Sequence, residues 1–178
     1  MNNKTHTRVL FIAQAGVIAA LYVVLTFLSS LVGLSSGVIQ VRVSEALCIL
    51  AFFTPAAIPG MTIGCFLANL TVGLTSGTGL VWADILFGTL ASFIGILGGW
   101  LLRKVSVWLV AIPTVLANAI IVPFVLKYAY QVEDAWWFMI LTVGAGELIA
   151  AFALGMVLYF AIRKPMAKLM GSNETLKS

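Results

Sequence analysis

Five side chains that could bind a small polar molecule stand out in a chain with little other charge. They are Glu45, Asn69, Asp84, Asn118 and Glu147. A carboxylate accepts two N–H donors or balances a cation, while an amide both donates and accepts. These residue types could therefore line a polar binding pocket. Covalent chemistry is the least expected use, since no nucleophile and base are recognisable at helical spacing.

The composition indicates which kind of structure must position these five side chains. The chain has 178 residues, of which 62% are hydrophobic and 9% charged, and its mean hydropathy is +1.12. Soluble domains are about half apolar and a quarter charged. The sequence therefore predicts an integral membrane protein, a single domain over residues 1–178.

Six apolar runs predict an all-α bundle of six transmembrane helices. The runs are Val9 to Leu31, Ala46 to Thr54, Ala56 to Thr75, Leu80 to Leu102, Val107 to Leu126 and Ala135 to Ile162. The second is too short to cross alone, so we expect its helix to begin near Val38 or Ser44 and the third near Pro59. A β-barrel would require strict alternation, which "GILGGWLL" lacks.

The basic residues predict the orientation. With six crossings and both termini cytoplasmic, eight of the ten lysines and arginines lie inside, leaving Arg42 and Lys127 outside. Five crossings would send the basic carboxyl-terminal tail outward. We therefore expect a multi-pass protein of the cell membrane whose net charge of +4 reflects topology and not nucleic-acid binding.

In this topology all five polar residues lie at or above mid-membrane on the outer side, which predicts an acidic, amide-lined pocket open to the outside. A carboxylate in hydrocarbon costs at least about 3 kcal/mol on insertion scales, so Glu147 should face a partner or a water-filled cavity. Structural alternatives remain. Glu45 could serve a helix start, Asp84 an interface, and Glu147 an ion pair with Arg42 or Lys127; Asn69 and Asn118 could join helices.

Small residues form two stripes that permit close helix packing. One contains Gly88, Ser92, Gly95 and Gly99, and the other contains Ala15 and Ala19 beside Gly16 and Ala20. Internal packing is the default interpretation, and docking onto a membrane partner is the alternative. No G-x-x-x-x-G-K-[ST] phosphate loop is present, so an energised pump would need separate ATPase subunits. Spacing typical of a metal site or a redox cysteine pair is also lacking, and no cofactor is expected.

The stretch "QVRVSEALCILAFFTPAAIPGMTIGCFLANL", followed by "WADILFGTLAS", resembles the QueT family. These are the S components of energy-coupling factor (ECF) transporters for queuosine precursors. The resemblance implies a six-helix binding subunit that captures its ligand outside and associates with a membrane T component and two ATPases. It also implies that Ala15 and Ala19, with Gly16 and Ala20, contact the T component. The loop "GLSSGVIQVRVSEA", residues 33–46, would cover the pocket, and its Arg42 and Glu45 would close over or line the bound molecule, with Gln40 also near it.

A 7-deazaguanine, such as 7-aminomethyl-7-deazaguanine or queuine, suits this set of residues. We expect Glu147 or Glu45 to accept its Watson–Crick N–H donors, Asp84 to pair an ammonium group, and Trp82 or Trp137 to stack on the ring. Asn69 and Asn118 would satisfy its carbonyl and ring nitrogens. Two alternatives remain: an S component for another vitamin-like nutrient, and a structural or assembly subunit without a ligand.

Overall fold

The structure, a computed structural model, describes residues 3–33, 41–76 and 81–170, and these form helices and connecting turns without a β-strand. Five helices in this part of the chain are long and apolar enough to cross a membrane. The prediction of an all-α membrane protein is confirmed. Six crossings and cytoplasmic termini remain predictions.

The long helices match the predicted apolar runs. In chain order they are α1 (Asn3–Leu31), α2 (Ala57–Ser76), α3 (residues 81–102), α4 (Ile112–Tyr128) and α5 (residues 136–170). Two of them contain a wider π-helical turn, at Asp84–Gly88 in α3 and at Leu148–Leu154 in α5. A short 3₁₀ turn, Val107–Leu109, precedes α4.

The second apolar run forms a 3₁₀ helix, Val43–Phe52, and not an α-helix. A 3₁₀ helix rises about 2.0 Å per residue, so ten residues span about 20 Å, where an α-helix would span about 15 Å. Most of the segment is buried, and it contacts α1, α2, α3 and α5. Such backbone is tolerated at membrane depth when protein surrounds it. The run is therefore the central element of the bundle.

The predicted break between the second and third runs is confirmed. The 3₁₀ helix ends at Phe52 and α2 begins at Ala57. Pro55 lies in the connecting turn, and Pro59 lies in the first turn of α2, where its missing N–H breaks no helical hydrogen bond. The two prolines therefore separate the segments without disrupting either.

The small residues of α3 allow α4 to approach closely. A Cβ atom added to Gly95 would lie 2.6 Å from Cα of Thr114, and one added to Gly99 would lie 2.4 Å from the carbonyl oxygen of Val110. No side chain fits at either position without movement of α4. The stripe therefore serves internal packing, as the default interpretation predicted.

Apolar side chains fill the region away from the predicted pocket. We call this region the apolar core; its principal members are Ile49, Phe53, Met61, Ile96, Val110 and Tyr159. The rings of Phe53 and Tyr159 are stacked with centroids 5.7 Å apart. The 3₁₀ helix thus contributes its carboxyl-terminal end to this core, while its amino-terminal end is free to carry polar groups.

Candidate functional site

Glu45 lies in the first turn of the 3₁₀ helix and is fully buried. Its Oε1 accepts a short hydrogen bond from the hydroxyl of Tyr22 on α1 and one from Ser92 Oγ on α3 at 3.3 Å. Its Oε2 has no hydrogen-bond partner among the described residues. The side chain therefore joins three helices at one oxygen and leaves the other unsatisfied, which is more than a helix-start role requires.

Glu147 is the last residue before the π-helical turn of α5 and is only 4% exposed. The Asn118 side chain of α4 lies beside its carboxyl group, and Asn118 Nδ2 donates to the carbonyl of Thr114 at 3.1 Å. The Oε2 of Glu147 has no partner in the described part of the chain. Lys127, one predicted ion-pair candidate, instead donates to the carbonyl of Asp134 at 3.3 Å.

Asn69 and Asp84 connect α2 to α3. Asn69 Nδ2 donates to the main-chain carbonyl of Asp84 at 2.8 Å, as expected of an amide that joins helices. The side chain of Asp84 accepts a short hydrogen bond from the hydroxyl of Tyr130, in the segment between α4 and α5. Asp84 is therefore engaged through both its main chain and its side chain.

Arg42 brings a positive charge to the region of the three acids. A Cβ atom added to Gly88 would lie 2.8 Å from Asn69 Nδ2 and 4.0 Å from Nη1 of Arg42, which brings the guanidinium next to α3. Arg42 interacts electrostatically with Glu45 and Asp84, and also with Glu147. An arginine remains cationic in proteins. The positive charge therefore offsets part of the negative charge that the acids bring to this region.

These contacts bring six of the nine predicted ligand-binding residues together. With two hydrogen-bonding neighbours they form what we call the polar cluster: Tyr22, Arg42, Glu45, Asn69, Asp84, Ser92, Asn118 and Glu147. All three acids lie in or beside helix that is not α-helical: Glu45 in the 3₁₀ helix, Asp84 and Glu147 at the two π-helical turns. Such irregular turns are frequent at functional sites.

The remaining predicted ligand-binding residues lie elsewhere. Trp82 is 73% exposed and Trp137 is 66% exposed, so both indoles face outward from the bundle, as residues of an interfacial aromatic belt do. Gln40 and the rest of residues 34–40, which are half of the predicted covering loop, lie outside the described residues. The exposed positions of both tryptophans therefore do not support their predicted ring-stacking role.

The small residues of α1 divide between two faces. Ala15 and Ala19 are buried because they pack on α2, where Gly60 and Gly64 provide the space. Gly16 and Ala20 are exposed on the other face. A separate apolar groove of about 360 Å³ runs between α1, the 3₁₀ helix and α5, and none of the polar-cluster residues lines it.

Sequence reasoning overlooked Tyr22, Ser92 and Tyr130 as site residues. The spacing of Ala15, Ala19 and Tyr22 places them on one face of α1, so the buried stripe could have revealed the tyrosine. In the sequence, Ser92 stands out only as a small residue of the α3 stripe, and nothing marks its hydroxyl as a hydrogen-bond donor to Glu45. Nothing in the sequence around Tyr130 signals that its hydroxyl reaches Asp84.

The arrangement suits the binding of a small polar molecule. Among the described residues, no group of histidine, cysteine and acidic side chains could hold a metal ion. Residues 12–164 match the sequence profile described as "QueT transporter". The chain belongs to the QueT transporter family. The resemblance inferred from Gln40 to Ser92 is confirmed, and the chain is a multi-pass membrane protein of that family.

A curated relative supports the same assignment. The queuosine precursor transporter QueT of Lactococcus lactis subsp. cremoris (strain MG1363) is 37% identical over 83 residues. The match covers 47% of this chain and 45% of the relative, so the chain matches about half the length of that QueT protein. No solved structure gives a significant match.

Proposed function

We propose that this QueT-family chain is the substrate-binding S component of an ECF importer and that it captures a 7-deazaguanine precursor of queuosine from outside the cell. Its family membership supports the transport role, and the Lactococcus relative, a queuosine precursor transporter, supports the class of ligand. Separate T and ATPase subunits then drive uptake.

The observation that carries the proposal is the pair of buried carboxyl groups with unpartnered oxygens. Glu45 and Glu147 are 0% and 4% exposed, and Oε2 of each lacks a hydrogen-bond partner among the described residues. A buried polar group without a partner costs about 1–3 kcal/mol, and more when it is charged. A structural subunit would gain nothing by retaining two such groups, whereas a binding protein needs them for its ligand.

The chemistry of the ligand matches this deficit. A 7-deazaguanine presents N–H donors along its Watson–Crick edge and at its pyrrole nitrogen, and a 7-aminomethyl group adds an ammonium ion. Carboxylates accept hydrogen bonds from all of these groups. Asn118 and Asn69 lie close enough to the acids to contribute further polar contacts at the margin of such a ligand.

The predicted topology accommodates this binding site. The proposal retains six crossings with both termini cytoplasmic, the crossing at residues 41–56 being completed by the 3₁₀ helix and its flanking turns. The carboxylates then lie in the outer half of the bundle. Arg103, Lys104, Arg163 and Lys164 lie at the opposite end, as the positive-inside bias requires.

The proposed T-component contact lies on the outward face of α1, opposite the face that packs on α2. Ala15 and Ala19 set how closely α1 approaches α2, while Gly16 and Ala20 are the small residues that face outward. A partner helix could approach most closely over Gly16 and Ala20, since small residues let helix backbones come together in a membrane.

Ligand binding to purified Glu147→Ala protein tests the proposal. We expect the affinity for 7-aminomethyl-7-deazaguanine, measured by titration calorimetry, to fall by about tenfold or more because a buried acceptor is lost. The exposed acid Glu133 provides the matched control, and Glu133→Ala should bind as wild type does. Wild-type affinity in Glu147→Ala would contradict the proposed site, and binding of a different nutrient alone would favour the other cargo.

A further inference from the structure

The three acids of the polar cluster differ in their burial and in whether a buried carboxyl oxygen remains without a hydrogen-bond partner. We propose that Glu45 and Glu147 together accept the donor groups of the ligand, whereas Asp84 is a positioning residue that holds the rim of the site and does not touch the ligand. The inference rests on the proposed function and assigns the roles within it.

Glu45 is held so that one oxygen remains available. Tyr22 and Ser92 approach from two different helices and both donate to Oε1. Two donors on one oxygen fix the plane and direction of the carboxyl group, and Oε2 is left without a partner in the described part of the chain. Fixed direction and free acceptor capacity are the properties that a ligand acceptor requires.

Glu147 repeats the same pattern from the opposite side. The Asn118 side chain lies beside its carboxyl group and donates to the carbonyl of Thr114, while Oε2 is again unpartnered among the described residues. The two glutamates interact electrostatically with each other and with Arg42. The 3₁₀ helix Val43–Phe52, which carries Glu45, packs directly on Leu148–Leu154, the turn that follows Glu147. Two free acceptors therefore lie near one another inside the bundle.

Asp84 has a different set of neighbours. Its carboxyl group accepts from Tyr130 and interacts with the guanidinium of Arg42, and its carbonyl accepts from Asn69. It is partly exposed, whereas Glu45 and Glu147 are buried. Asp84 thus connects α2, α3 and the segment between α4 and α5 through Oδ2 and its main-chain carbonyl. Unlike the two glutamates, it does not present a buried, unpartnered oxygen.

The arrangement specifies the class of ligand. Two separately held acceptor oxygens require a small molecule with N–H donors at two positions, and their negative charge favours a neutral or cationic molecule over an anionic one. A 7-aminomethyl-7-deazaguanine meets both conditions. A ligand that carries a carboxylate or phosphate would meet repulsion from both glutamates.

Four amide variants of the full-length protein separate the roles: Glu45→Gln, Glu147→Gln, Asp84→Asn and, as the exposed control, Glu133→Gln. Each amide keeps the size of the acid but replaces one acceptor oxygen with an N–H₂ donor. We expect the affinity for 7-aminomethyl-7-deazaguanine to fall by about tenfold or more for both buried glutamate variants. Asp84→Asn should stay within about threefold of wild type, because its amide oxygen still accepts from Tyr130.

Loss of affinity by Asp84→Asn as large as that of either glutamate variant would overturn the assignment, as would wild-type affinity in Glu45→Gln or Glu147→Gln. If an amide variant does not fold, Glu45→Asp or Glu147→Asp replaces it; each keeps the charge but shortens the reach, and should still bind more weakly than Asp84→Asn. A wild-type protein that binds no deazaguanine would overturn the proposed function itself, and this inference with it.

Discussion

The polar cluster and the apolar core share the same helices but differ in whether their buried groups have the contacts they require. In the core, side chains such as Ile96 and Tyr159 are fully buried among apolar neighbours. In the cluster, two buried carboxyl groups each retain an oxygen without a partner among the described residues. A fold under selection for stability alone would not retain such groups. The comparison therefore assigns stability to the core and ligand recognition to the cluster.

Ile96→Ala should give the largest effect and tests the core side of the comparison. Ile96 is 0% exposed, and truncating a buried isoleucine to alanine costs about 2–5 kcal/mol through lost contacts and the cavity left behind. We expect a lower free energy of unfolding in detergent, measured by thermal or denaturant unfolding, with unchanged ligand affinity for the folded fraction. Weaker binding without loss of stability would show that the two regions are not separate.

Tyr22→Phe should have an intermediate effect and sharpens the comparison at the cluster. The change removes the hydrogen bond to Glu45 but preserves the ring, so the carboxyl group loses one of two groups that fix its direction. A hydrogen bond of this kind contributes about 0.5–1.5 kcal/mol, and ligand affinity should fall by about two- to tenfold. Titration calorimetry on Tyr159→Phe, a buried tyrosine of the core, provides the control and should show wild-type affinity.

Trp82→Ala and Trp137→Ala should give the smallest effects. Both side chains are largely exposed and lie away from the cluster, and surface changes usually alter free energies by within about 0.5 kcal/mol. We expect ligand affinity close to that of wild type in a direct binding assay. A tenfold or greater loss of ligand affinity in either variant would indicate that its tryptophan stacks on the ligand. The binding site would then extend to the outer surface of the bundle.

Much of the fold could be predicted from the sequence because a membrane helix needs a long apolar run. The ends of α1, α2 and α3 lie within a few residues of the predicted runs, apart from the polar start of α1. The 3₁₀ conformation of Val43–Phe52 could not be predicted, since a ten-residue apolar run has no period that distinguishes one helix type from another. That conformation follows from burial among the other helices.

The site was only partly predictable for a similar reason. Glu45 and Glu147 stand out because buried acids are costly in a membrane. The partners that hold them, Tyr22 and Ser92, have no such signal, since a single hydroxyl in an apolar run is common. Which side chains meet across helices depends on tertiary packing, and this was decided by close contacts such as those at Gly60 and Gly64.

The 3₁₀ helix also sets a narrow tolerance on chain length. With three residues per turn, the side chains of residues 45, 48 and 51 align along one edge of the 3₁₀ helix. Each further residue adds about 2 Å of height and about 120° of rotation about the helix axis. Insertion or deletion of one residue between Val43 and Glu45 would swing the carboxyl group onto another flank of the segment. The register of the 3₁₀ helix therefore determines the direction in which the Glu45 side chain points.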